Sequence, residues 1–121
     1  MPVPPLSRRR ILLVEDDEMV LDTIVLMLED EYEISVAASV GTALSILRTP
    51  QTYSIDIVLL DCLLPGGNVA EILAEADSRS IPAVLISGDP RQAASLGPLR
   101  QFLSKPFTQA TLLHTLDTAR R

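Results

Sequence analysis

Asp61 closes an unbroken apolar run, Ile57-Val58-Leu59-Leu60, and is followed by Cys62-Leu63-Leu64-Pro65-Gly66-Gly67. Desolvating an unpaired carboxylate is costly, so one placed there calls for a partner. Candidates follow the other short apolar runs. Glu15, Asp16 and Asp17 come after Ile11–Val14, Ser87 ends Ala83–Ser87, and Lys105-Pro106 comes after Phe102–Ser104. Lys105 is the one lysine among ten basic residues. Carboxylates gathered within a few ångströms repel one another, and a divalent cation relieves that repulsion. Magnesium suits the set, because it takes one or two carboxylates, keeps waters and shares phosphate oxygens. Lysine is a point cation for a phosphoryl oxygen and a serine hydroxyl can donate to another. An aspartate so placed can act as a nucleophile and form an acyl phosphate, with metal and lysine stabilising the charge that spreads during transfer.

Taken singly, each residue has a plainer reading. Asp16, Asp17 and Glu18 could simply favour the positive end of a helix, Asp61 could be a loop residue before Pro65-Gly66-Gly67, and Lys105 a surface lysine. Their joint position must therefore come from the elements that carry them. Ile11–Val14, Ile34–Ala37, Ile55–Leu60, Ala83–Ser87 and Phe102–Ser104 have strand character. Helical spacing lies between and after them. Val20, Leu21, Ile24, Met27 and Leu28 share a face within Glu18–Asp30. Val40, Ala43, Leu44 and Leu47 follow an N-cap at Ser39, and Val69, Ile72, Leu73 and Ala76 follow Asn68. A fourth helix, Gln92–Leu96, is cut short by Gly97-Pro98, and Leu112, Leu113 and Leu116 form a stripe after Thr108. Strands alternating with helices predict a doubly wound α/β sandwich around a parallel sheet. Such sheets bind ligands beyond the carboxyl ends of their strands, where the acids, Ser87 and Lys105 all fall.

Composition narrows the function further. The 121 residues suit one domain, with 47% hydrophobic and 21% charged residues. No apolar run approaches the roughly 20 residues of a membrane span, and the amino end does not read as a secretory signal. A formal charge of −6 argues against nucleic-acid or anionic-membrane binding. The lone Cys62 excludes an internal disulfide and fits a reducing, cytoplasmic setting. It reads as a small buried hydrophobe, and His114, beside the last apolar stripe, as an ordinary helix residue. Residues 1–9, with three prolines in Met1–Ser7 and the cluster Arg8–Arg10 at their end, read as a tail ahead of a domain over 10–121.

The segments LLVEDDE, VLLDCLLPGG, VLIS and FLSKPF, in this order and spacing, resemble the receiver domain of two-component response regulators. The resemblance runs from Arg10 to Ala119. It implies a flavodoxin-like five-stranded sheet of order 2-1-3-4-5 with five helices. It implies that Asp61 accepts a phosphoryl group from a sensor histidine kinase or a histidine phosphotransfer protein, in a reaction that depends on Mg2+. Asp16 and Asp17 would be the magnesium-site acids, Asp17 the direct ligand and Asp16 acting more through water, with the Leu63 backbone carbonyl as a further ligand. Ser87 resembles the switch hydroxyl, Phe102 the aromatic switch residue, Lys105 the family lysine, and Lys105-Pro106 its cis peptide. A protein-interaction surface would be switched, the chain would catalyse only its own phosphorylation and dephosphorylation, and homodimerisation is common in the family.

The sequence also departs from the family pattern. Leu63 is apolar where many members are polar, which would slow loss of the phosphoryl group by hindering water, although Asp89 also lies near. Val69 stands where glycine is common. The stretch between Ser87 and Lys105 is shorter by about one helical turn, which alters the usual output face. Two other readings stay open: a magnesium-dependent phosphohydrolase working through an aspartyl phosphate, and a non-phosphorylated pseudo-receiver used for binding. The short tail after Lys105-Pro106 leaves room for one helix, so the chain reads as either a stand-alone receiver or an excised one, and Met1 favours the former.

Overall fold

The computed structural model describes residues 8–49, 54–64, 67–97 and 100–119. The expected tail over Met1–Ser7, Pro65-Gly66 and Pro98 lie outside the described residues. The elements run β1 (Arg9–Val14), α1 (Glu18–Leu28), β2 (Tyr32–Ala37), α2 (Val40–Arg48) and β3 (Ile57–Asp61). Then follow α3 (Val69–Ser78), β4 (Ala83–Ser87), α4 (Pro90–Ser95), β5 (Gln101–Ser104) and α5 (Gln109–Ala119). All strand pairs are parallel, in the order β2-β1-β3-β4-β5. The fold is thus the doubly wound parallel sheet that the alternation predicts, in the flavodoxin-like strand order that the resemblance implies.

Because helices cover both faces, the inner strands carry unbroken apolar runs, Ile11–Val14, Ile57–Leu60 and Ala83–Ile86, with polar residues only at their ends. Strand alternation divides their side chains between two cores. Leu12, Val14, Val58, Leu60 and Leu85 pack with Ala43, Leu47, Ile72 and Ala76 of α2 and α3. Ile11, Leu13, Ile57, Leu59, Val84 and Ile86 pack with Ile24 and Leu28 of α1 and Leu112 and Leu116 of α5. The cap expected at Ser39 forms, its hydroxyl accepting from the Thr42 N–H, and Asn68 and Thr108, which precede the other stripes, accept likewise from the Ala70 and Thr111 N–H groups. At the turn into α3, a Cβ on Gly67 would sit 2.9 Å from the Val40 Cβ, so only glycine lets α2 approach there. The boundary expected at residue 10 moves. Arg9 and Arg10 are strand residues paired with Tyr32 and Glu33, because the β1–β2 ladder extends toward the amino end.

The fourth helix is as short as expected, six residues. Its end is held by a staple rather than by length. Gly97 takes φ 139°, open to glycine, and lets Arg100 fold back. The Arg100 Nε donates to the Leu96 carbonyl at 3.1 Å, and its two terminal nitrogens donate to Asp77 of α3 at 3.1 and 2.6 Å. This bidentate pair holds the Asp77 carboxyl below its ordinary range. Since Asp77 is partly exposed, the pair contributes about 1 kcal/mol at most. Arg100→Ala should therefore speed amide exchange at Leu96, Gly97 and Gln101, with a loss of about 1 kcal/mol in urea unfolding. Exchange unchanged at those amides would show that the staple does not secure α4.

Candidate functional site

The strand order reverses direction between β1 and β3, so their carboxyl ends border the crevice of the sheet. Val14 pairs with Leu60, which sets Glu15 and Asp61 side by side one residue further on. Asp61 in turn pairs with Ile86, and Ser87 with Ser104, which brings the ends of β4 and β5 to the same edge. Lys105 follows directly. Its backbone N–H donates to the Ser87 carbonyl at 3.0 Å, and the Lys105–Pro106 peptide is cis.

Asp61 is buried, at 5% exposure. Its Oδ2 accepts from the Lys105 ammonium at 3.1 Å and its Oδ1 from the Leu63 N–H at 2.8 Å. Glu15 is deeper still, at 1%. Its Oε2 accepts from the N–H groups of Asp16 and Asp17 at 3.1 and 3.2 Å. Its Oε1 lies 3.9 Å from the Lys105 Nζ, within ion-pair range but without a hydrogen-bond partner among the described residues. One oxygen each from Glu15, Asp16 and Asp61 lies within 4.8 Å of the others.

One expected position changes. Asp17 was expected as the direct metal ligand, yet its Oδ1 accepts from the Met19 and Val20 N–H groups at 2.9 and 3.2 Å. Its carboxylate is the N-cap of α1, and Glu15 takes its place in the acidic cluster. The signal was present: an acid immediately before a helical pattern is a preferred cap, whereas Glu15 extends the β1 ladder through its N–H to the Ala37 carbonyl. Ser87 is buried beside the crevice, but its hydroxyl contacts Asp89 and Gln92 rather than Asp61. Asp89 itself caps α4, accepting from the Arg91 N–H at 3.0 Å.

The remaining candidates fall where expected or further out. Leu63 projects into solvent, 68% exposed, while its backbone reaches Asp61. Phe102 is half-buried against α4, beside a cavity of about 100 Å³ that Pro90, Ala93 and Arg100 also line. Cys62 is buried and burial pushes its thiol up to about 11, as fits a small core residue. His114 is exposed on α5. Next to Lys105 and Pro106, an apolar groove runs along α1, lined by Met19, Thr23, Met27 and Phe107.

The acidic set fits a hard divalent cation. All donors are oxygens, and one buried carboxylate oxygen lacks a partner. A match along most of the chain identifies its family. Residues 11–117 match the model of the response regulator receiver domain. The chain belongs to that family. This receiver is 31% identical over 120 residues to the alkaline phosphatase synthesis transcriptional regulatory protein SphR of Synechococcus elongatus, covering 87% of this chain and 47% of that protein. It spans about half the length of the curated relatives it matches. A response regulator receiver protein from Sinorhizobium medicae superposes with a TM-score of 0.84 at 25% identity, over 95% of this chain and 96% of that one. The receiver domain of the sensor histidine kinase PA1611 from Pseudomonas aeruginosa, solved with magnesium in its active site cleft, gives 0.77 at 27% identity, over 94% and 98%. No helix of the described residues is long and apolar enough to cross a membrane.

Burial pushes the Glu15 carboxyl up to about 7, with neighbouring Asp61 adding to the rise and the Asp17 N–H and Lys105 charge opposing it. A raised acid binds its proton more tightly folded than unfolded, so its penalty starts near pH 4.5 and is complete above about 7. In chelator, the wild type should therefore lose stability as pH rises through this window, and Glu15→Gln should flatten the slope. At pH 8 the Glu15→Gln protein should melt higher, a difference that shrinks toward pH 5. A lower melting temperature for the variant at pH 8 would contradict this account of Glu15.

Proposed function

We propose that the receiver is switched by phosphorylation of Asp61, with Mg2+ as cofactor and a histidine kinase or histidine phosphotransfer protein as donor. The observation that carries the reading is the buried Asp61 carboxylate held between the Lys105 ammonium and the Leu63 N–H, next to Glu15 and Asp16. In the step itself, an Asp61 oxygen attacks phosphorus and the P–N bond of the phosphohistidine breaks. The electron pair goes to the leaving imidazole nitrogen and an acyl phosphate forms. Lys105 would follow the transferred group's charge. Bound between Glu15, Asp16 and Asp61, Mg2+ would neutralise carboxylates and phosphoryl oxygens.

The chain would thereby catalyse only its own phosphorylation and dephosphorylation, and act in the cytoplasm. The apolar groove beside Lys105 is a surface that a protein partner could cover. A phosphohydrolase reading is disfavoured because the residue two beyond Asp61 is Leu63, which offers no general acid. A pseudo-receiver reading is disfavoured by the complete acidic cluster and its lysine.

Acetyl phosphate with Mg2+ should add one phosphoryl mass to the wild type and none to Asp61→Asn, read by intact-mass spectrometry. An adduct of equal yield in the variant would remove Asp61 from the role. The metal assignment makes a second, separable expectation. Asp16→Asn should weaken Mg2+ binding to the unphosphorylated protein by tenfold or more, whereas Asp17→Asn, which keeps a capping oxygen, should leave it nearly unchanged. Weakening confined to Asp17→Asn would restore that residue as the ligand.

A further inference from the structure

The Ser87 hydroxyl is more tightly engaged than a free switch residue needs to be. It is 2% exposed. Its Oγ accepts from the Asp89 N–H at 2.9 Å, donates to the Asp89 carbonyl at 2.9 Å, and lies 3.2 Å from the Gln92 Oε1. A hydroxyl has one proton, so it cannot serve both the Asp89 carbonyl and the Gln92 oxygen. The conflict disappears when the amide makes a half-turn, since amide nitrogen and oxygen exchange places with little change of shape. The Gln92 nitrogen then donates to Oγ, the Ser87 proton goes to the Asp89 carbonyl, and all three bonds coexist.

Gln92 reaches Ser87 because α4 starts at once. Asp89 is the N-cap and Pro90 the first helical residue, so Gln92 lies in the first turn with its side chain facing the end of β4. These bonds hold the hydroxyl on the α4 side. To reach a phosphoryl oxygen on Asp61, Ser87 must give up the contact with Gln92.

We propose that Gln92 is a positioning residue for the switch serine, holding the Ser87 hydroxyl away from Asp61 until a phosphoryl group competes for it. This rests on the phosphorylation reading above. A bond made only in the resting arrangement lowers the population of the competent one. Its loss should speed phosphorylation about three- to tenfold, the range of one neutral hydrogen bond.

The test is a double-mutant cycle with Gln92→Leu and Ser87→Ala, using acetyl phosphate and Mg2+ and following the growth of the intact-mass adduct. Gln92→Leu should accelerate the wild-type background and change nothing once Ser87→Ala is present. Gln92→Glu, which can only accept, should fall between. Amide exchange of Asp89 in unphosphorylated protein provides a second readout: protection should drop in Gln92→Leu, but show no further drop in the Ser87→Ala background. Equal effects of Gln92→Leu in both backgrounds would reveal a merely structural role and overturn the proposal. So would an unchanged rate with unchanged exchange. A wild type that gains no mass would overturn it through the phosphorylation reading, and the exchange cycle would show separately whether the latch exists.

Discussion

Three carboxylates and one ammonium meet at the carboxyl edge of the sheet, and the rest of the molecule accommodates that imbalance. At 3.1 Å the Lys105–Asp61 attraction is about 5 kcal/mol gross for a protein-like dielectric. Desolvating each buried ion costs several kcal/mol. One lysine can therefore offset one carboxylate, not three. The remainder is handled in different ways: Asp16 stays exposed, Asp61 takes the lysine, and Glu15 shifts toward its neutral form. A hard cation held by the same oxygens would relieve the same imbalance, so the acidic cluster and the raised Glu15 belong to one arrangement.

The apolar strands make that arrangement rigid. Register, not loop conformation, brings Glu15 beside Asp61, because the Val14–Leu60 pair precedes both. The β4–β5 ladder does the same for Ser87 and Lys105. Every inner strand is locked by side chains in two separate cores, so the edge cannot spread to relax the charges. Repulsion is consequently expressed in the raised carboxyl of Glu15.

The periodicity of the chain was sufficient for the elements and the layered parallel sheet, since inner parallel strands and one-faced helices leave different patterns, whereas the strand order came from the family resemblance. The cap at Ser39 was legible for the same local reason, as were the helix starts after Asn68 and Thr108. The site was legible as a set of residues and less so in its division of labour. Adjacent Glu15, Asp16 and Asp17 look alike as letters, and only the ladder bond of Glu15 and the cap bonds of Asp17 separate their roles. Gln92 was invisible, because a glutamine in a short helix carries no signal until the end of β4 is seen beside it. Arg100 is similar: its partner Asp77 is 23 residues away in sequence, beyond any local pattern.

The shortness of α4 gives these non-local contacts their importance. A long helix distributes its anchoring over several turns, but six residues cannot. The amino end of α4 is therefore tied to Ser87 through Asp89 and Gln92, and its carboxyl end to α3 through Arg100. Between the two ties, Ala93 is buried in the core that Phe102 also packs against. A change in the bonds of Ser87 and a change in the packing of Phe102 thus act on the same turn and a half of helix. Coupling between crevice and surface needs no extended pathway here, because the element that reads the hydroxyl also forms the wall against which the aromatic ring rests.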